Sequence, residues 1–89
     1  MSSKILVVDD QRSNVEMMAG VLRARGYTVH TALDGAEALE QVAAVGPDLV
    51  VSDILMPKVD GFELCQRLRA APETALLPII LVTSLDAQA

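Results

Sequence analysis

The chain has 89 residues, of which 52% are hydrophobic and 21% are charged, and this apolar content excludes an intrinsically disordered segment. Seven basic residues stand against twelve acidic ones, for a net charge of −5, which argues against nucleic-acid binding by the chain itself. A single cysteine excludes an internal disulfide framework. No apolar run approaches the ~20 residues that span a bilayer. We therefore expect one small soluble domain of the cytoplasm over residues 1–89, without a signal peptide or membrane contact.

The first half of the chain predicts a strand, a helix, a second strand and a second helix. Residues 5–8 (ILVV) form a continuous apolar run rich in β-branched residues, which is typical of a strand buried on both faces of a parallel sheet. Residues 27–31 alternate in polarity and predict an edge strand. Each strand is followed by apolar residues at helical spacing, which are Val15, Met18, Ala19 and Leu22, and then Ala38, Leu39, Val42 and Ala43. We expect Gly26 and Gly46-Pro47 to end these helices and Asp34 to cap the second one.

The second half repeats this alternation. Residues 49–51 and 79–82 are short apolar runs that predict a third and a fourth strand. Between them, Phe62, Cys65 and Leu68 predict the buried stripe of a third helix, with Asp60 near its cap. The order βαβαβαβ predicts a parallel sheet with helices on both faces and right-handed crossovers.

Acidic and hydroxyl residues follow three of the predicted strands. Asp9 and Asp10 follow the first, Asp53 follows the third, and Thr83 and Ser84 follow the fourth. Ligands of open α/β sheets bind beyond the carboxyl ends of the strands, so the three carboxylates meet at one rim if the first and third strands are neighbours. Clustered carboxylates repel one another, and a divalent cation with oxygen ligands, Mg²⁺ first, is the simplest compensation. The alternative is structural: Asp9 and Asp10 cap the first helix, and Asp53 merely ends a strand.

Three segments of the sequence together resemble the receiver domain of two-component response regulators. They are Ile5-Leu6-Val7-Val8-Asp9-Asp10, Leu81-Val82-Thr83-Ser84, and the D-x-x-M-P-x-x-D-G run that extends from Asp53 to Gly61. The resemblance covers the whole chain and implies a flavodoxin-like, doubly wound parallel sheet with strand order 2-1-3-4. Relative to a complete receiver, this sequence lacks the fourth helix, the fifth strand and the fifth helix.

The resemblance also implies a chemistry. Asp53 would accept a phosphoryl group from a histidine kinase or phosphotransfer protein. Asp9, Asp10, Asp53 and the backbone carbonyl of Leu55 would hold Mg²⁺, and Thr83 would be the hydroxyl that hydrogen-bonds the phosphoryl group. The chain would be a regulatory phosphoacceptor and not an enzyme.

One expected cation has no counterpart in the sequence. A receiver resembling this chain carries a lysine at the end of its fifth strand, whereas the only lysines here are Lys4 and Lys58. We therefore expect inefficient phosphoryl acceptance by this chain alone. An exposed fourth strand would favour self-association, by edge pairing or by exchanged elements.

Two alternatives remain open from the sequence. One is a non-phosphorylated interaction or dimerisation module with the receiver fold. The other, a hydrolase that uses an aspartyl-phosphate, is disfavoured because position 55 is Leu and not a second acidic residue.

Overall fold

The computed structural model describes residues 2–56 and 58–82, and these residues alternate strand and helix throughout. The elements are β1 Lys4–Val8, α1 Arg12–Ala24, β2 Thr28–Ala32, α2 Gly35–Val45, β3 Leu49–Asp53, α3 Gly61–Ala70, a 3₁₀ turn Pro72–Thr74 and β4 Ile79–Val82. The strands form one parallel sheet in the order β2-β1-β3-β4. The predicted fold class and strand order are confirmed, and β2 is an edge strand as expected.

The register of the sheet brings the carboxyl ends of β1 and β3 side by side. Val8 pairs with Ser52 across these two strands. Asp9, which follows β1, and Asp53, which ends β3, therefore lie at the same rim of the sheet. On the other side of β3, Asp53 pairs with Val82. The end of β4 therefore meets the same rim.

Two apolar clusters cover the two faces of the sheet, because side chains of a strand alternate between its faces. Leu6, Val8 and Val50 join α2 and α3 on one face. Ile5 and Val7 join α1 on the other. The run at residues 5–8 is buried on both faces, as its composition predicts.

Four of the predicted helix boundaries carry the expected capping or terminating residues. The carboxylates of Asp34 and Asp60 accept hydrogen bonds from the backbone N–H of Glu37 (2.7 Å) and of Glu63 (2.8 Å), in the first turns of α2 and α3. Gly46 ends α2 in the left-handed region, at φ 65°. Gly26 follows the last residues of α1 with φ 95°, a conformation that glycine adopts without steric cost.

The predicted stripe of α3 was wrong in part. Gly61, Leu64 and Leu68 are its buried residues, whereas Phe62 is exposed and Cys65 is half-buried. Leu68 alone belongs to both sets. The buried face starts at Gly61, which has no hydrophobic side chain and so gives no signal in the sequence. The predicted stripe was therefore placed one residue too late, at Phe62 and Cys65.

The strand β4 is apolar in sequence but incompletely covered. None of its four residues is buried, and Ile80 is half-exposed. Among the described residues β4 is an edge strand, so the expectation of an exposed fourth strand agrees with the structure. No helix of the described ranges has the length and hydropathy required to cross a membrane.

Candidate metal centre

The structure brings Asp9, Asp10 and Asp53 together at the rim of the sheet. Each offers a carboxylate oxygen, and the three oxygens lie within 4.8 Å of one another. Asp53 is the last residue of β3, and the other two directly follow β1. The neighbouring positions of β1 and β3 in the sheet account for this convergence.

The side chain of Asp9 is oriented by donors on both of its oxygens. Its Oδ1 accepts from the backbone N–H of Gln11 at 2.9 Å, and its Oδ2 accepts from Asn14 Nδ2 at 3.4 Å. Its own N–H donates to the carbonyl of Ala32 at 3.2 Å. Sequence reasoning missed Gln11 and Asn14, because polar residues in the first turn of a helix are common without any such contact.

The structure does not support the helix-capping alternative for the acidic pair. Gln11 is the N-cap of α1, and no side chain caps this helix. Among the backbone N–H groups at this end of α1, Asp9 accepts from that of the cap residue itself and from none in the first turn beyond it. The acidic pair is therefore left at the rim beside Asp53.

Asp53 is the buried member of the cluster, with 3% of its surface exposed. Its Oδ1 accepts from the backbone N–H of Leu55 at 3.4 Å. Burial, followed by the charge of Asp9, raises the pKa of the Asp53 carboxyl above its ordinary value, while the backbone N–H groups of Leu55 and Ile54 act in the opposite direction. The site therefore disfavours a third negative charge unless a cation is present.

No cationic side chain of the described ranges pairs with these carboxylates. The ion pair found there joins Arg67 and Glu63 at 2.6 Å on the surface of α3. Lys4 donates from Nζ to the carbonyl of Val45 at 2.9 Å, at the opposite end of β1. The negative charge of the cluster is thus uncompensated by residues 2–56 and 58–82.

The loop after β3 approaches the strand closely at Gly61. A Cβ at this position would lie 2.6 Å from the carbonyl oxygen of Asp53 and 2.8 Å from Cα of Ile54. A side chain at position 61 would therefore force the backbone to move. The Gly61 N–H donates to the carbonyl of Ile54 at 2.9 Å. Gly61 thus permits close packing of the backbone at the start of α3.

The remaining residues of the loop face different environments. Met56 is buried in the core, Leu55 is more than half exposed, and the Asp60 carboxylate is used in capping α3. Lys58 has φ 68°, which is rare for a residue with a side chain. Pro57, Thr83 and Ser84 lie outside the described residues, so the predicted hydroxyl role of Thr83 stays a prediction.

The donor set fits a hard divalent cation. Carboxylate and carbonyl oxygens are the ligands that Mg²⁺ and Ca²⁺ prefer, and here three carboxylates converge with no cationic partner among the described side chains. Burial of Asp53 strengthens the argument, since a buried carboxylate requires a compensating charge or hydrogen bonds.

Comparison with known proteins identifies the family. A model of the response regulator receiver domain matches residues 5–89. The response regulator PleD of Caulobacter vibrioides is 44% identical over 97% of this chain, which corresponds to 19% of PleD. MprA of Mycobacterium ulcerans is 46% identical over 97% of this chain and 36% of its own length. The chain thus spans well under half the length of these curated relatives.

Solved structures agree with this assignment. A putative response regulator from Chloroflexus aurantiacus superposes with a TM-score of 0.89 at 40% identity, covering 98% of this chain and 74% of that one. Chemotaxis response regulator CheY4 of Vibrio cholerae gives 0.87 at 36% identity, covering 91% and 68%. The similarity in fold therefore extends over almost the whole chain.

Proposed function

This chain belongs to the receiver domains of two-component response regulators, and we propose that it accepts a phosphoryl group on the carboxylate of Asp53. The observation that carries the proposal is the convergence of three carboxylate oxygens within 4.8 Å around one buried aspartate. The same arrangement gives a nucleophile and a cation site in one place. Receiver domains are regulatory, and we propose no catalysis by this chain beyond its own phosphoryl transfer.

Four groups of this chain would hold Mg²⁺. They are the carboxylates of Asp9, Asp10 and Asp53 and the backbone carbonyl of Leu55. When bound, the ion would neutralise charge on these carboxylates and on the transferring phosphoryl group. The hydrogen bonds to both oxygens of Asp9 support this role, because they hold its side chain in one orientation before any ligand arrives.

The transfer itself requires an ionised Asp53. An Asp53 carboxylate oxygen forms a bond to phosphorus, the bond between phosphorus and the donor's histidine nitrogen breaks, and its electron pair returns to that nitrogen. The product is an acyl phosphate on Asp53. The Leu55 N–H holds the other carboxylate oxygen of Asp53, which leaves one oxygen available for attack.

Thr83 would donate a hydrogen bond to the new phosphoryl group. It directly follows Val82, whose register partner in the sheet is Asp53. The added charge would then bias the segment after β4 between two arrangements, the usual way in which a phosphorylation switch acts.

The proposed donors are a histidine kinase or a phosphotransfer protein. We expect phosphoryl transfer to this chain to be slow, because the sequence has no counterpart of the lysine that would contact the phosphoryl oxygens. Lys4 is engaged at the far end of β1, and Lys58 lies in the loop after β3.

The test is chemical labelling of the chain with acetyl phosphate in the presence and absence of Mg²⁺. Mass spectrometry is expected to find one added phosphoryl group on Asp53, only when Mg²⁺ is present. Asp53→Asn should abolish the label, and Glu40→Gln, which removes a carboxylate from the exposed surface of α2, should retain it. A label that survives in Asp53→Asn, or no label at any Mg²⁺ concentration, would contradict the proposal.

A second candidate function is a non-phosphorylated interaction module. The incomplete burial of the apolar strand β4 favours it, because an exposed apolar edge is a template for pairing with another chain. A chain that self-associates but takes no label from acetyl phosphate would support this alternative.

A further inference from the structure

The junction of β2 and α2, residues 32–35, contacts both sides of the acidic cluster. At its start, the carbonyl of Ala32 accepts from the backbone N–H of Asp9 at 3.2 Å. At its end, Gly35 packs against Val59 in the loop after β3. This short segment thus contacts the backbone of Asp9, one proposed ligand, and the loop that contains Leu55, another proposed ligand.

The contact at Gly35 has no room for a side chain. A Cβ there would lie 2.6 Å from both Cβ and Cγ1 of Val59 and 2.8 Å from its carbonyl oxygen. Real Cβ atoms are not found this close to other heavy atoms, and one of the three partners is backbone. Gly35 is buried and is the first residue of α2, so its φ is ordinary and the requirement for glycine is one of space alone.

Gly35 belongs to a well-held segment. The Asp34 carboxylate accepts from the N–H of Glu37, and the Glu37 carboxylate accepts from the N–H of Leu33, each at 2.7 Å. These two hydrogen bonds, which resemble a capping box, stabilise the start of α2. An atom added at Gly35 would therefore displace the loop more readily than the helix.

The loop on the other side is held at three points. Met56 is buried in the core, Val59 rests on Gly35, and Gly61 lies against the Asp53–Ile54 backbone. Leu55, whose N–H donates to the Asp53 carboxylate, lies between Ile54, which contacts Gly61, and the buried Met56. Leu55 is itself more than half exposed. Its position is set by the contacts of its neighbours and not by its own side chain.

We propose that Gly35 is a positioning residue for the cation site, because its missing side chain lets the loop that carries Leu55 settle beside α2. This inference rests on the proposed function, in which the carbonyl of Leu55 binds Mg²⁺. Gly35 touches neither the cation nor the phosphoryl group and acts through Val59. Changes in the shell that orients metal ligands commonly weaken binding about 10–100-fold.

The test compares Mg²⁺ affinity and the Leu55 amide resonance among variants of the full chain. Gly35→Ala is expected to weaken Mg²⁺ binding, measured by isothermal titration calorimetry, at least about tenfold. It should also shift the Leu55 amide in the Mg²⁺-free ¹⁵N spectrum. Val59→Ala, which thins the contact from the other side, should weaken binding in the same direction by a smaller factor and serves if Gly35→Ala fails to fold.

Two controls separate positioning from general destabilisation. Gly20→Ala places a Cβ on α1 where no atom beyond the neighbouring helix backbone lies within 4 Å, and it should leave Mg²⁺ affinity unchanged. Val29→Ala removes apolar contacts from the opposite face of the sheet, and it should lower stability without moving the affinity or the Leu55 resonance.

Each outcome decides one question. If the unaltered chain does not bind Mg²⁺, the proposed function fails and this inference fails with it. If the unaltered chain binds Mg²⁺ but folded Gly35→Ala or Val59→Ala binds it within twofold of that affinity, only the role of Gly35 is refuted. A loss of affinity in Val29→Ala equal to that in Gly35→Ala would refute it as well.

Discussion

Replacing Asp53 with asparagine should stabilise the metal-free chain. The substitution removes the negative charge of a buried carboxylate that lies beside Asp9. At 4.8 Å, the separation within which the cluster oxygens lie, two like charges repel by about 0.9 kcal/mol at the dielectric constant of water and about 3.5 kcal/mol at an effective value of about 20. The amide oxygen of asparagine preserves an acceptor for the N–H of Leu55.

The expected gain in the free energy of unfolding is therefore about 1–3 kcal/mol in EDTA. For a domain of this size, each kcal/mol corresponds to a rise in Tm of about 4–8 °C. Excess Mg²⁺ should shrink this difference in stability between the two chains, and should reverse it if the gain in EDTA is below about 2.7 kcal/mol. At about 100 times its Kd the ion adds about 2.7 kcal/mol to a protein that binds it, and the unaltered chain gains this stabilisation while Asp53→Asn gains little.

Thermal unfolding followed by circular dichroism, in EDTA and in excess Mg²⁺, measures both effects. Glu40→Gln changes the net charge by the same amount but lies on the exposed surface of α2. It should change neither the Tm in EDTA nor the rise in Tm on adding Mg²⁺. An Asp53→Asn chain that is no more stable than the unaltered one in EDTA, or that gains as much from Mg²⁺, would refute the electrostatic reasoning.

Four further results are expected. In EDTA, the contribution of Asp53 to stability should be present below about pH 3.8 and be lost as the pH rises through its raised folded-state pKa, because the folded chain binds this proton more tightly than the unfolded chain does. The free energies of unfolding in urea of the unaltered chain and of Asp53→Asn should therefore diverge as the pH rises over that range. Parallel pH dependences of the two chains would contradict this. Leu64→Ala should cost about 2–5 kcal/mol, since this side chain is fully buried, and a loss below about 1 kcal/mol in urea would show that the cavity closes. Asp34→Ala should cost about 1 kcal/mol through loss of the cap, whereas Asp34→Asn, which keeps an acceptor, should cost less. Light scattering coupled to size exclusion should detect a dimer formed through the edge strand β4, and a stable monomer at high concentration would count against that pairing.

Most of the fold follows from local signals in the sequence. The apolar run at residues 5–8 is buried on both faces, and Asp34, Asp60 and Gly26 cap or end their helices where turn chemistry predicts. These signals act over a few residues, so a single sequence is sufficient to find them. The convergence of Asp9, Asp10 and Asp53 followed from one further premise, that the first and third strands are neighbours.

The errors and omissions arise where a glycine or a long-range contact decides the structure. The buried face of α3 begins at Gly61, and no hydrophobic scale marks a glycine as buried. Gly35 is indistinguishable in sequence from an ordinary turn residue, and its contact with Val59 joins the start of α2 to the loop after β3. The hydrogen bond from Asn14 to Asp9 depends on a side-chain rotamer, which periodicity does not specify.

The central position of β1 has a consequence for the newly made chain. Ile5 pairs with Leu49, so the ribosome must add 44 further residues before that partner exists, and at about 5–20 residues per second this takes about 2–9 seconds. During that interval the apolar run at residues 5–8 has only the later edge strand β2 to pair with. Lys4 precedes the run and two aspartates follow it, and charges that flank an apolar strand in this way oppose aggregation. The carboxylates proposed to bind the cation are thus expected to oppose aggregation of the nascent polypeptide as well, before there is any sheet for them to border.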